Sequence, residues 1–196
     1  MKKSTPRISL LLIACLLVFS QDILSKVKIK QTKLKLDSNT ILIKGESNLN
    51  HWESIVKGAD AELIMHSLKN AATVIDTLSI KIKVTDIISG RKKMDRLTHK
   101  ALKAVEHPYI TFFYTLNALN NSDNQKISGD LTIAGITKKI TTLVIFNKDK
   151  STVTLKGIHH LDMTDYGVKP PQIFLGILKT KKDIAIDFAL KFKSNP

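Results

Sequence analysis

The change of hydrophobic period at Pro108 constrains this chain more than any other feature. Before it, Met94, Leu97, Ala101 and Ala104 or Val105 recur at three- and four-residue spacing and share one helical face. Pro108 lacks an N–H and holds His107 extended, so a helix cannot pass through it. After it the period is two. Ile110, Phe112, Tyr114 and Leu116 face one way, and Tyr109, Thr111, Phe113 and Thr115 the other. The spacing predicts a helix over 94–105 that feeds a long strand at 109–119. No comparable helical pattern follows residue 20, so this helix is expected to act as a lid or plug on a sheet.

The rest of the chain alternates. Val27, Ile29, Leu34 and Leu36 are interleaved with lysines, and Asp37-Ser38-Asn39 reads as a turn into a second strand, Thr40 to Glu46. A polar segment, SNLNHWES, leads to strand candidates around Ala61 to Met65 and Leu78 to Val84. Further strands are expected at Ile127–Ile133, Ile140–Phe146, Val153–Leu161 and Ile184–Phe192, with a long Pro- and Gly-containing connection over 162–180. About eight strands joined mostly by short turns imply antiparallel neighbours. The expected fold class is mainly β: a single antiparallel up-and-down barrel of about eight strands, with one helix before the fifth or sixth. A sandwich is the rival architecture. An outer-membrane barrel fits less well, because the outward positions carry lysine, which is costly against lipid.

Residues 1–20 have the organisation of an export signal. Lys2, Lys3 and Arg7 precede the apolar run Ile8–Phe19, and cleavage is expected before Gln21. The domain is then 21–196, periplasmic or secreted. Leu12-Ile13-Ala14-Cys15 is a competing lipoprotein signal, with Cys15 as the anchor. Cys15 is the only cysteine, so a processed chain has no disulfide and no thiol chemistry. The net charge of +14 is almost all lysine; Arg7, Arg91 and Arg96 are the only arginines. Lysine is a solvated point charge and lacks arginine's phosphate-matching fork, so a nucleic-acid partner is not expected. The lysines at 26, 28, 30, 33 and 35 read as solubilising, with an anionic membrane surface as a second partner.

Catalytic signals are weak. His159-His160-x-Asp162 resembles a metal cluster, but adjacent strand residues point to opposite faces, and zinc wants three or four convergent ligands. The histidines are expected to be exposed or hydrogen-bonded. Ser47 and His51 lack a third member or an oxyanion loop. Asp162 and Asp165 read as turn caps. The expectation is therefore no enzyme, no metal and no cofactor, with a hydrolase or metal-dependent enzyme as the alternative. The inward-phase positions Leu63, Ile82, Val84, Ile110, Phe112, Tyr114, Leu131, Ile133, Val144, Ile186 and Phe188 either fill a dry core or line a cavity; residue types alone do not separate the two. Trp52 suits a pocket rim or a core equally.

Three stretches carry a family resemblance: ALKAVEHPYITF, ISGDLTIAGITKKI and DMTDYGVKPPQIFLGILKTKKDIAIDF. With Gly45, Ser47 and Trp52 they resemble the YceI-like family of exported, polyisoprenoid-binding β-barrel proteins, from about residue 27 to residue 193. The resemblance implies a lipocalin-like barrel around a long apolar lipid, an isoprenoid or fatty-acid derivative. It implies a lipid-lined interior from Trp52 and the eleven apolar positions above, with Asn50 and His51 at a polar mouth. Many members carry a His two residues before the aromatic; here that place is Asn50 and the His is His51, a shift that reverses facing in a strand. A monomer or homodimer is expected.

Overall fold

The computed structural model describes residues 30–67, 73–115, 124–149, 151–173 and 178–194. The export-signal and Cys15 readings, the strand positions Val27 and Ile29, the lysines at 26 and 28, Leu116 and the whole 117–123 loop lie outside them.

Alternation with lysine builds a β structure whose strands are β1 (Lys30–Ser47), β2 (His51–Val56), β3 (Asp60–Ser67), β4 (Thr73–Lys83), β5 (Ile87–Ile88), β6 (Tyr109–Thr115), β7 (Asn124–Ile133), β8 (Ile136–Asp149), β9 (Thr152–Asp162), β10 (Gln172–Ile173) and β11 (Leu178–Ser194). Eight of them, in the order β1-β3-β4-β6-β7-β8-β9-β11, close on themselves because β11 returns to pair with β1. Closure removes the sheet edges that an open array would expose. β2 and β5 extend the wall past β3 and β4: β2 pairs with β1 over 42–46 and with β5 at Ile55 and Val56. The barrel expected from the sequence is therefore the observed one.

Two local expectations are corrected. Asp37-Ser38-Asn39 is not a turn. β1 runs unbroken for 18 residues, with a register shift between Leu36 and Ser38 as it pairs with β11. Ladder hydrogen bonds on β11 outweigh the local turn preference, and the extra residue is absorbed as a bulge. The helix is also shorter than expected. α1 spans Lys92–Ala101 and stops because Lys103 takes φ 54, well before Pro108. Its end is closed by Ala104 N–H donating to His99 O, and Val105 is left 92% exposed. The tight β7–β8 hairpin has positive φ at Ala134 (48) and Gly135 (84), the mirror-image turn that matches strand twist.

The barrel has a solid end and a hollow end. At the end away from α1, Leu34, Leu63, Met65, Ile75, Tyr114, Val153 and Phe192 are buried and packed together. At the α1 end, a second cluster of Leu131, Ile133, Met163, Tyr166 and Val168 forms one lip.

Candidate functional site

The inward faces of the strands do not fill the interior. Below α1 lies a chamber of about 300 Å³, and beyond it a smaller one of about 110 Å³. Ordinary interiors have few voids larger than a water molecule. An apolar cavity of ~150 Å³ already accepts a benzene ring, so the first chamber alone has room for a ligand. The two chambers share Ile41, Ile82, Ile110 and Ile186, from β1, β4, β6 and β11. These four β-branched side chains, stiff at χ1, make a waist between them.

The interior stays open partly because of three inward glycines. Trp52 lies on Gly45, Phe112 on Gly129 and Phe188 on Gly157, each ring on a neighbouring strand. A Cβ on Gly45 would meet Trp52 Cζ2 at 2.2 Å, one on Gly129 would meet Phe112 Cζ at 2.6 Å, and one on Gly157 would meet Phe188 Cζ at 2.8 Å. A glycine on the wall lets a large ring lie flat against it instead of standing into the lumen. Trp52 seats itself at a cost: its Nε1 is buried with no hydrogen-bond partner, the one such side-chain atom among the described residues.

The lid is pinned. The Asp95 carboxylate accepts from both the Ser89 N–H and the Ser89 hydroxyl at 2.7 Å, and these bonds hold its pKa below the ordinary value. His99 Nε2 bonds the Ile87 carbonyl at 2.9 Å. Met94, Thr98 and Ala101, on one face of α1, and then Leu102, turn toward the large chamber. The opposite lip is a 3-10 turn, Met163–Tyr166, whose start is capped by the Asp162 carboxylate accepting from Thr164 N–H at 2.8 Å. Bonds from Lys182 and Thr164 push Asp162 down to about 2.

The structure sorts the candidate residues. Trp52, Ile82, Ile110, Ile133 and Ile186 line the large chamber. Phe112, Leu131, Val144 and Phe188 line the small one. Leu63, Val84 and Tyr114 line neither; they are buried in packed parts of the barrel. Asn50 is exposed in the β1–β2 turn, where its backbone N–H donates to Ser47 Oγ at 3.0 Å. His51 touches the chamber mouth but is 87% exposed, beside Glu46.

The adjacent histidines do face opposite ways, but one is not as expected. His160 is exposed, whereas His159 lines the small chamber, half-buried and without a hydrogen bond. Burial, reinforced by His160, lowers its pKa. The inward phase Val153, Leu155, Leu161 runs through position 159, so alternation carried the signal. No cluster of three or more potential metal ligands occurs among the described residues.

The fold has solved counterparts. BcnA from Burkholderia cenocepacia is similar with 18% identity and a TM-score of 0.66, over 78% of this chain and 95% of that one. A polyisoprenoid binding domain from Saccharophagus degradans, implicated in plant cell wall breakdown, has 10% identity and a TM-score of 0.64, over 85% and 100%. A YceI protein from Campylobacter jejuni has 16% identity and a TM-score of 0.56, over 71% and 86%. Identities this low establish a shared fold. No functionally curated protein matches the chain. A model of the YceI-like domain matches residues 27–192, and the chain belongs to that family of β-barrel proteins.

Proposed function

We propose that this protein binds and carries a long-chain apolar lipid, a polyisoprenoid or fatty-acid derivative, inside its barrel, without chemistry. One observation carries the reading: an apolar, two-chambered interior under a pinned lid. Burying about sixteen CH₂ groups would gross roughly 12 kcal/mol at ~0.8 each. Ordering the chain takes back a good part of that and still leaves useful affinity. A larger groove of about 870 Å³ adjoins the large chamber at His51, Trp52, Glu53, Leu161 and Ile184 and runs past Lys44, Glu46, Asp162 and Lys181. It is open and lined by charged pairs, so it is the poorer home for a hydrocarbon.

The setting proposed is the cell envelope, periplasmic or secreted, after removal of the export signal or with Cys15 as a lipid anchor. The mouth supports loading at an anionic membrane surface. Arg91, Lys92, Arg96, Lys100 and Lys103 are exposed on and beside the lid, next to exposed Val105. Native mass spectrometry after mild purification, followed by organic extraction and lipid analysis, tests the central reading. A lipid adduct is expected. A bare polypeptide from every preparation, with no uptake of added lipid, would refute carriage.

A further inference from the structure

The mouth residues expected to meet a polar head, Asn50 and His51, sit in solvent. Two other polar side chains are turned inward. Ser54 on β2 is 5% exposed and Tyr166 in the 3-10 turn is 2% exposed. Both line the large chamber. Neither side chain has a hydrogen-bond partner among the described residues, and neither hydroxyl is completely sealed. An occupant that sealed either hydroxyl without pairing it would forfeit about 1–3 kcal/mol, so this chamber favours an occupant that can hydrogen-bond to them.

The charged liners of this chamber are His51, Glu53 and Arg91, and all three are on the exposed rim. The interior offers no ion pair to a charged head, and an unpaired buried charge is far more costly than a neutral dipole. Burial raises the Tyr166 pKa, so its phenol keeps the proton and donates. Beyond the isoleucine waist the second chamber is apolar except for Thr142, whose hydroxyl donates to Ile158 O at 3.3 Å, and His159.

We infer that the bound lipid carries an uncharged oxygen-bearing head, a carbonyl or hydroxyl, held in the large chamber by the hydroxyls of Tyr166 and Ser54, with its tail through the isoleucine waist. This deepens the lipid-carriage reading and rests on it.

The test uses the fluorescent apolar probe N-phenyl-1-naphthylamine, displaced from the wild-type barrel by decane, 2-decanone or decyl phosphate. The ketone is expected to compete about 2- to 10-fold better than the alkane, the range of one net hydrogen bond, and better than the phosphate. Tyr166→Phe and Ser54→Ala each keep the alkane affinity and lose most of the ketone's advantage. Because the Tyr166 hydroxyl has no internal partner, Tyr166→Phe melts at or above the wild-type temperature. Equal competition by alkane and ketone, preference for the phosphate, or full ketone advantage in both variants overturns the assignment of the head. A marked loss of melting temperature in Tyr166→Phe does so as well, because it reveals an internal partner. A wild-type barrel that takes up neither the probe nor any chain overturns lipid carriage itself, and the head assignment with it.

Discussion

Gly45→Ala tests the idea that ring-on-glycine seats keep the barrel open. The new Cβ would stand 2.2 Å from Trp52 Cζ2, against 3.4 Å for ordinary contact, so the indole must retreat by about 1.2 Å. The three nearest atoms are all Trp52 side chain. The ring has somewhere to go, because it borders the 300 Å³ chamber. Overpacking costs about 1–3 kcal/mol. Against it stand ~0.5–1 kcal/mol from removing a strand glycine and ~1–3 kcal/mol if the Trp52 N–H leaves its unpaired seat. These terms nearly cancel, so stability should change by no more than about 1 kcal/mol, roughly 2–4 °C in Tm for a chain this size. Binding should not escape. If the displaced ring takes the room of three methylenes, about 2.4 kcal/mol is lost at ~0.8 each, roughly fifty-fold in Kd. Trp52 is the only tryptophan, so its emission reports the movement directly, beside thermal melting and probe displacement. Unchanged emission with unchanged binding, or a loss above about 3 kcal/mol, would refute the reasoning.

Other outcomes follow from the same geometry. Ile82→Ala opens the waist; it should cost about 1–3 kcal/mol in urea denaturation, less than a sealed-core truncation because Ile82 already borders space, and should favour longer chains over shorter ones in competition. Phe192→Ala, at 0% exposure in the solid end, should cost about 3–5 kcal/mol with little change in chain selectivity. The lowered pKa of His159 means the unfolded chain takes up its proton first on acidification. Stability should therefore fall as pH drops below the ordinary value of 6.5, and His159→Leu should flatten that limb of the Tm profile. Asp162 acts in a separate window: its stabilisation is present above pH 3.8 and is lost as pH falls toward about 2, so Asp162→Asn should lower Tm throughout the range above pH 3.8 and flatten the limb below it.

The strands were legible because alternation with lysine is a strong signal when one face meets water. Ile110, Phe112, Ile186 and Phe188 could thus be placed inside before their neighbours were known. The bulge at Asp37–Asn39 was not legible, because the residues that favour turns also suit an interrupted ladder, and only the pairing with β11 decides between them. The ring seats were hidden for a related reason. Gly45 and Trp52 are seven residues apart and opposite each other, but Phe112 reaches Gly129 diagonally across the β6–β7 pair, a relation set by register. Leu63 and Tyr114 have the right inward phase, yet they lie at the solid end, and phase says nothing of depth along a barrel. In the sequence Tyr166 is one residue of a closing loop, and nothing in the spacing says that it is buried at the large chamber.

Depth along the axis is what separates stability from binding in this fold. A barrel of eight strands can be filled by its own side chains, and at one end this one is: Leu63, Ile75, Val153 and Phe192 are at most 2% exposed and line neither chamber. Toward α1 the wall changes character. Glycines take inward positions at 45, 129 and 157, and the rings beside them lie back on the wall. Each flattened ring gives up contacts across the lumen that a filled core would have made, so the hollow end is the weaker end by construction. The pinned lid and the solid end must therefore hold the barrel shut while it is empty. A ligand that fills the chambers should then raise stability by mass action, most steeply when its head satisfies the hydroxyls of Ser54 and Tyr166.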